Sequence, residues 1–210
     1  MKKLYIILLI ILQANFALAK IRVAVLDTGV SKSYTSAPLC VEALPDSSDN
    51  KHGTSVIELI NQNAGNVNYC VYSLKIFDKK FNHKTYLMVL KLLINLHVDV
   101  INMSFTGLGY DAEEAKLIKK LLDQGTTIFA AAGNNSDELS NDYCNIYPAC
   151  IDPRIVIVGS ESYSSGYGNR VRIKSKYDSI KIAGKLIKGT SQATAIETGR
   201  FVKFLGKHGF

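Results

Sequence analysis

Four polar residues stand where small neighbours leave them open to a reacting group. They are Asp27 in Asp27-Thr28-Gly29, His52 in His52-Gly53-Thr54, Asn134 after Ala130-Ala131-Ala132-Gly133, and Ser191 in Gly189-Thr190-Ser191. As a set they supply an acid, a base, a carboxamide donor and a hydroxyl nucleophile. That is what is needed to attack a carbonyl and stabilise the oxyanion that forms. Each also has an ordinary reading: Gly-Thr-Ser before a helix is a common N-cap, His52 a cap or surface residue, Asn134 a turn residue, Asp27 a strand end. Asp27-Thr28-Gly29 matches the aspartic-peptidase tripeptide as well, but that chemistry needs two carboxylates sharing a proton, and the chain has one copy. A phosphotransfer aspartate usually needs a second acid nearby, which Thr28-Gly29-Val30 does not supply. No Gly-x-Gly-x-x-Gly follows the first strand, so dinucleotide binding is unsupported. His83, His97 and His208 lack the Gly-Thr sequel of His52 and read as structural.

Such residues need a frame that brings distant positions to one edge, and the hydropathy pattern supplies it. Residues 21–26 are a β-branched apolar run ending at Asp27, and 69–77, 98–103, 127–132 and 155–159 read as further strands. A helix of about ten residues follows His52, and an apolar helix covers 86–96. An amphipathic helix over 112–122 sets Ala115, Leu117, Ile118, Leu121 and Leu122 against Glu113, Glu114, Lys116, Lys119 and Lys120, with Gly125 as its C-cap. The polar stretch 160–176 reads as surface loops and 179–183 as a short strand, before a C-terminal helix of about a dozen residues at Ser191. Strands alternating with helices imply an α/β fold: a doubly wound, mostly parallel sheet with helices on both faces. Asp27, Ser104 and Asn134 all fall at carboxyl ends of strands, the edge where such sheets form sites. Without repeats, low-complexity segments or linkers, residues 20–210 read as one domain.

Met1-Lys2-Lys3, an apolar run over 4–12 and Ala17-Leu18-Ala19 form a basic n-region, an h-region and a cleavage site. Residues 1–19 are therefore expected to be a secretory signal peptide, placing the protein outside the cell or in a periplasm. An uncleaved anchor is the alternative, but Gln13 and Asn15 interrupt the run short of the roughly 20 residues a span needs. No second run is long enough to cross a membrane. The net charge of +7, to which Lys2 and Lys3 contribute, is spread along the chain without a basic stripe, which argues against a nucleic-acid partner. The four cysteines of an exported chain suggest two disulfides, with three possible pairings. Cys144 and Cys150 bracket a short segment containing Pro148 and form the natural local pair, leaving Cys40 with Cys70. Free thiols are the alternative. No Cys-x-x-Cys supports zinc or redox chemistry.

Val25-Leu26-Asp27-Thr28-Gly29, His52-Gly53-Thr54, Ile101-Asn102-Met103-Ser104, the 130–134 stretch and Gly189-Thr190-Ser191 occur together and in order. On these the chain resembles the subtilisin-like serine peptidases, over essentially all of 20–210. The resemblance implies that Ser191 attacks a peptide carbonyl, His52 moves the proton, Asp27 holds the imidazole, and the Asn134 side chain with the Ser191 N–H stabilises the oxyanion. It also implies that Ser104, Phe105 and Thr106 form one wall of the substrate pocket and Ala131, Ala132 and Gly133 the other. The small residues and Phe105 suggest an apolar or aromatic residue before the scissile bond. The protein is then a monomer that cleaves proteins or peptides in extended form, without a cofactor. The chain departs from the family at Ala195, where proline is usual, at Gln192, where methionine is common, and at Thr106, where glycine is usual and threonine would narrow or reshape the cleft. Ile21 begins the first strand directly after the leader, leaving no room for a pro-segment, and the short length implies trimmed calcium loops with no required metal. A non-catalytic relative using the same cleft for binding, and esterase or peptidyl-transfer chemistry on the same acyl-enzyme, remain as alternatives.

Overall fold

A computed structural model describes residues 20–31, 35–41, 51–77, 79–162, 164–182 and 184–209. The leader expected over 1–19 and most of the polar loop before Asn50 lie outside the described residues. In chain order the first elements are β1 (Ile21–Asp27), α1 (Lys51–Ala64), β2 (Tyr69–Lys75), α2 (His83–Leu96), β3 (Val100–Met103), β4 (Gly107–Leu108) and α3 (Ala112–Asp123). They continue with β5 (Thr127–Ala131), β6 (Ile146–Tyr147), β7 (Val156–Ser160), β8 (Val171–Ser175), β9 (Ser179–Ile182), β10 (Lys185–Lys188) and α4 (Thr190–His208). A six-stranded parallel sheet runs β2-β1-β3-β5-β7-β8, and β4 with β6 and β9 with β10 form small antiparallel pairs.

β1 shows why all but its second and last residues are apolar. Alternate residues face opposite sides of a sheet. Ala24 and Leu26 join the core with Leu90 and Leu93 of α2 and Ile118 and Leu121 of α3. Val23 and Val25 join the core on the other face, with Ile57 and Ile60 of α1 and Ile196 and Val202 of α4. From β1 the chain steps outward to β2 and then returns across β1 to β3. The reversal leaves a crevice at the carboxyl edge between β1 and β3, where sites form in open α/β sheets.

Local signals start two helices where the sequence places them. Asn82 accepts the Thr85 N–H at 3.0 Å ahead of α2, and Asp111 accepts the Glu114 N–H at 2.7 Å ahead of α3. Other expectations need correction. The 160–176 stretch contains β8, an edge strand whose residues alternate between half-buried and exposed, so Arg172 and Lys174 fall on its open side. β10 completes a hairpin with the short strand expected at 179–183. Glu114, expected on the solvent side of α3, is buried. α4 extends over 19 residues rather than a dozen. It runs through Gly199, a residue that costs a helix interior about 1 kcal/mol relative to alanine. The reason is packing: a Cβ on Gly199 would stand 2.6 Å from Ile60 O and 2.8 Å from Asn63 Cβ, so α4 crosses α1 backbone to backbone.

Both expected disulfides are formed, Cys40–Cys70 and Cys144–Cys150, with Cα separations of 4.9 and 5.5 Å. The first ties the segment before α1 to β2, where the Cys40 N–H also donates to Val71 O at 2.9 Å. Among the described residues no helix is long and apolar enough to cross a membrane.

Candidate active site

Asp27 ends β1 and is 2 % exposed. Its Oδ1 accepts the Thr28 N–H at 2.7 Å. His52 lies in the first turn of α1, with Nδ1 2.8 Å from Asp27 Oδ1 and 3.0 Å from Oδ2. An ionised carboxylate only accepts, so Nδ1 carries the proton and Nε2 is left as the acceptor of the neutral ring. Burial works against charging the imidazole, but the hydrogen bond and charge of Asp27 together outweigh it. The His52 pKa is raised above its ordinary 6.5.

Gly53 lets α1 come this near. A Cβ there would stand 2.2 Å from Gly29 O. The Gly53 N–H donates to Thr28 Oγ1 at 2.9 Å, and Thr54 Oγ1 accepts the Ser31 N–H at 2.9 Å, so the mouth of α1 is laced onto the loop after β1. Gly53→Ala is expected to cost about 3 kcal/mol, the upper part of the overpacking range, because the new methyl meets Gly29 backbone, which cannot turn aside as a side chain can. Thermal unfolding followed by circular dichroism would show Tm lowered by roughly 6–12 °C, and an unchanged Tm would refute the tight approach.

Ser191 is the second residue of α4, among the first-turn positions whose N–H groups have no partner within the helix. Its hydroxyl donates to Ser104 O at 2.8 Å, and Ser104 Oγ donates back to Ser191 O at 2.9 Å. Behind them Asn102 Nδ2 donates to Ser104 Oγ at 2.9 Å, and Thr198 Oγ1 donates to Asn102 Oδ1 at 3.1 Å. This buried chain pins α4 to the end of β3. The structure thus joins Asp27 to His52 and Ser191 to Ser104, and no hydrogen bond links Ser191 to His52. Rotation about Ser191 χ1 redirects Oγ among staggered positions without moving the helix, and such contacts tighten when substrate binds.

Asn134 is exposed at the mouth of α4. Its Oδ1 accepts both the N–H and the hydroxyl of Thr190, at 2.9 and 3.2 Å. Two donors on one oxygen fix the amide's orientation and turn Nδ2 away from Thr190, where no acceptor among the described residues takes it. Gly189, at φ +145°, packs against this amide: a Cβ there would stand 3.1 Å from Asn134 Oδ1.

Of the expected pocket walls, Ser104 is buried, Phe105 half-buried and Thr106 exposed, while Ala131, Ala132 and Gly133 are buried. The Gly133 carbonyl is engaged by the Gly166 N–H at 3.0 Å. Thr106 Cγ2 lies 3.8 Å from where a Gly133 Cβ would stand, so the two walls come close at that point. The Phe105 ring joins Phe77, Tyr86 and Phe81, at centroid distances of 5.6, 5.7 and 6.0 Å.

Several positioning residues escaped sequence reasoning. Thr190 orients Asn134, Thr198 and Asn102 support Ser104, and a further bridge runs through Gln192 and Ser55. Gln192 is 2 % exposed, its Nε2 donates to Ser55 Oγ at 3.4 Å, and Ser55 Oγ donates to His52 O at 2.6 Å. The available signal was polarity inside apolar periodicity: Asn102 interrupts a buried run, and Thr194 and Thr198 lie on the core face of α4. Among the described residues no group of three or more His, Cys, Asp or Glu side chains is placed to hold a metal ion.

Comparison with known proteins places this geometry in context. A model described as Subtilase family matches residues 19–208. Subtilisin NAT of Bacillus subtilis subsp. natto is 25% identical over 217 residues, and Subtilisin J of Geobacillus stearothermophilus shows the same identity and coverage. The match covers 90% of this chain and 56% of each relative, so the chain spans about half the length of the curated relatives it matches. Among solved structures, a cold adapted subtilisin-like serine proteinase is similar at TM-score 0.69 and 28% identity, over 93% of this chain and 79% of its own. A lanthipeptide protease, at TM-score 0.69 and 16% identity over 90% and 74%, shares the fold.

Proposed function

The chain belongs to the subtilase family, and from that membership we propose that it is an exported serine endopeptidase that hydrolyses peptide bonds through an acyl-enzyme. The observation that carries the reading is the pairing of His52 Nδ1 with the buried Asp27 carboxylate, which leaves Nε2 of the neutral ring as the acceptor that a base needs. In the proposed cycle Ser191 Oγ attacks the carbonyl carbon as its proton passes to His52 Nε2. The resulting imidazolium gives that proton to the leaving amine, and water enters by the same route to release the acid. Asp27 keeps its charge throughout and stabilises the imidazolium. The Ser191 N–H and Asn134 Nδ2 donate to the oxyanion, assisted by the positive end of α4. Export rests on the 1–19 leader pattern and on the two disulfides, which persist in oxidising compartments.

Asn134→Ala is expected to lower kcat by about 10²–10³ with little change in KM, because the lost donor acts on charge that develops only in the transition state. Steady-state kinetics on a peptide substrate checks this, and an effect confined to KM would remove Asn134 from the oxyanion site. The reading as a whole is tested by mass spectrometry after fluorophosphonate treatment. A single adduct on Ser191, absent from heat-denatured protein and from Ser191→Ala, supports it. The bond from Ser191 to Ser104 O favours a second reading, a non-catalytic module that binds peptides in the same cleft. Folded protein that takes no adduct would decide for that second reading.

A further inference from the structure

Beyond the 104–106 wall, a pocket of about 180 Å³ opens between α2, the loop after β3 and the start of α3. Phe77, Phe81, Tyr86 and Phe105 line it, with neighbouring ring centroids 5.4–6.0 Å apart. Glu114 also lines it and is only 6 % exposed. Asp111 and Glu114 have capping-box spacing, in which the second carboxylate would turn back to the N–H of the cap residue. Glu114 turns inward instead. Its Oε1 accepts the Tyr86 hydroxyl at 2.7 Å. Among the described residues no donor is bonded to Oε2. Burial raises the Glu114 pKa, the Tyr86 hydrogen bond opposing this in part, while the charge of Asp111 adds to the rise and that of His83 lowers it.

A half-satisfied carboxylate among aromatic faces is electrostatically incomplete. What completes it is a cation on an apolar stem, which can lay its methylenes on the rings and its charge against Oε2. Among the described residues no lysine or arginine lines the pocket: His83, which does, is 3.4 Å from Asp111, and Lys79 and Lys80 are exposed beside a neighbouring shallow hollow. Phe105 belongs both to the expected substrate wall and to this pocket. Side chains of an extended peptide alternate between faces, so a residue away from the scissile bond can reach past the wall.

We propose that this pocket selects a lysine or arginine side chain of the bound peptide, with Glu114 as the specificity-determining carboxylate. The proposal rests on the peptidase reading only for the cleft that presents the peptide. Its test therefore reads binding rather than turnover. Fluorescence anisotropy on the full chain carrying Ser191→Ala compares extended peptides that differ only in lysine against norleucine, scanned position by position. At one position lysine is expected to bind roughly tenfold tighter, the scale of a cation held on aromatic faces beside a carboxylate. Adding Glu114→Gln, which keeps an acceptor for the Tyr86 hydroxyl, is expected to bring the two peptides to about equal affinity. On the unsubstituted pocket the same advantage falls as acid neutralises Glu114. Asp111 and His83, 3.4 Å from each other, also face it, and Tyr86, its pKa raised by burial and by the charge of Glu114, stays neutral. Equal affinity at every position, or an advantage that survives both Glu114→Gln and acid, overturns the proposal. Turnover of the unsubstituted chain is measured alongside, and its absence counts against the peptidase reading while leaving the binding comparison intact.

Discussion

Ser191→Ala is expected to lower kcat on any cleavable peptide by about 10⁶, and His52→Ala to lower it by a similar factor. The double variant is expected to lose little more, because in the proposed cycle the hydroxyl and the imidazole act as one unit, and neither would have a proton-transfer partner once the other is gone. A residual rate about 10³–10⁴ above the uncatalysed reaction should remain, carried by the oxyanion donors and by binding. The structure bounds the side effects. Alanine removes the hydrogen bond to Ser104 O, a loss of about 0.5–1.5 kcal/mol, while the return bond from Ser104 Oγ to Ser191 O uses the backbone and persists. A folded, inactive variant is the expected outcome, checked by kinetics together with a melting curve. Independent losses that multiply in the double variant would mean that Ser191 and His52 do not share a step.

Asp27→Asn is expected to cost about 10⁴ in kcat with the fold retained. The asparagine oxygen can still accept the Thr28 N–H. Its amide, turned toward the ring, would make Nδ1 an acceptor and put the proton on Nε2, where it blocks the base. The pH dependence supplies a second readout. Burial lowers the His52 pKa and Asp27 more than reverses this, so the acid limb of kcat/KM should report an apparent pKa above 6.5, with activity rising as the ring loses its proton. In Asp27→Asn only burial remains, and the limb of the residual activity should move below 6.5. The stability effect follows from the same raised pKa. The stabilisation from protonated His52 is fully present below its unfolded value and is lost as pH rises through the raised folded value. Tm measured across that window should fall with rising pH more in the native chain than in Asp27→Asn. An acid limb that stays in place in the variant would mean that Asp27 does not control the imidazole.

The parts of the fold that were legible are those in which burial imposes one pattern. β1, β3 and β5 are covered on both faces, so their residues are mostly apolar, with polar exceptions such as Arg22 and Asn102, and Asp27, Ser104 and Asn134, at or beyond the ends of these runs, mark the sheet's carboxyl edge. β8 was missed for the opposite reason: it lies at the edge of the sheet, and its Val-Arg-Ile-Lys alternation looks like polar loop when its neighbour is unknown. Glu114 was assigned to solvent because helical periodicity reports which side of α3 faces the core. It does not report that Tyr86, on another helix, offers a hydroxyl there. The supporting network behind Ser191 was equally hidden. Thr198 and Asn102 are 96 residues apart, and their contact depends on how α4 seats on β3.

His52 and Ser191 stand at the mouths of two rods, α1 and α4, pressed together where Gly199 offers no side chain. At about 1.5 Å per residue that point lies roughly 12 Å along α4 from Ser191. The spacing between the two groups is therefore set in part at a distant bearing surface and not only by the contacts at the cleft. Even a single methyl at the bearing would act as a shim, tilting one rod on the other and carrying that tilt to both mouths. The chain is thus constrained far from any substrate, at a helix-interior glycine that has no chemistry of its own.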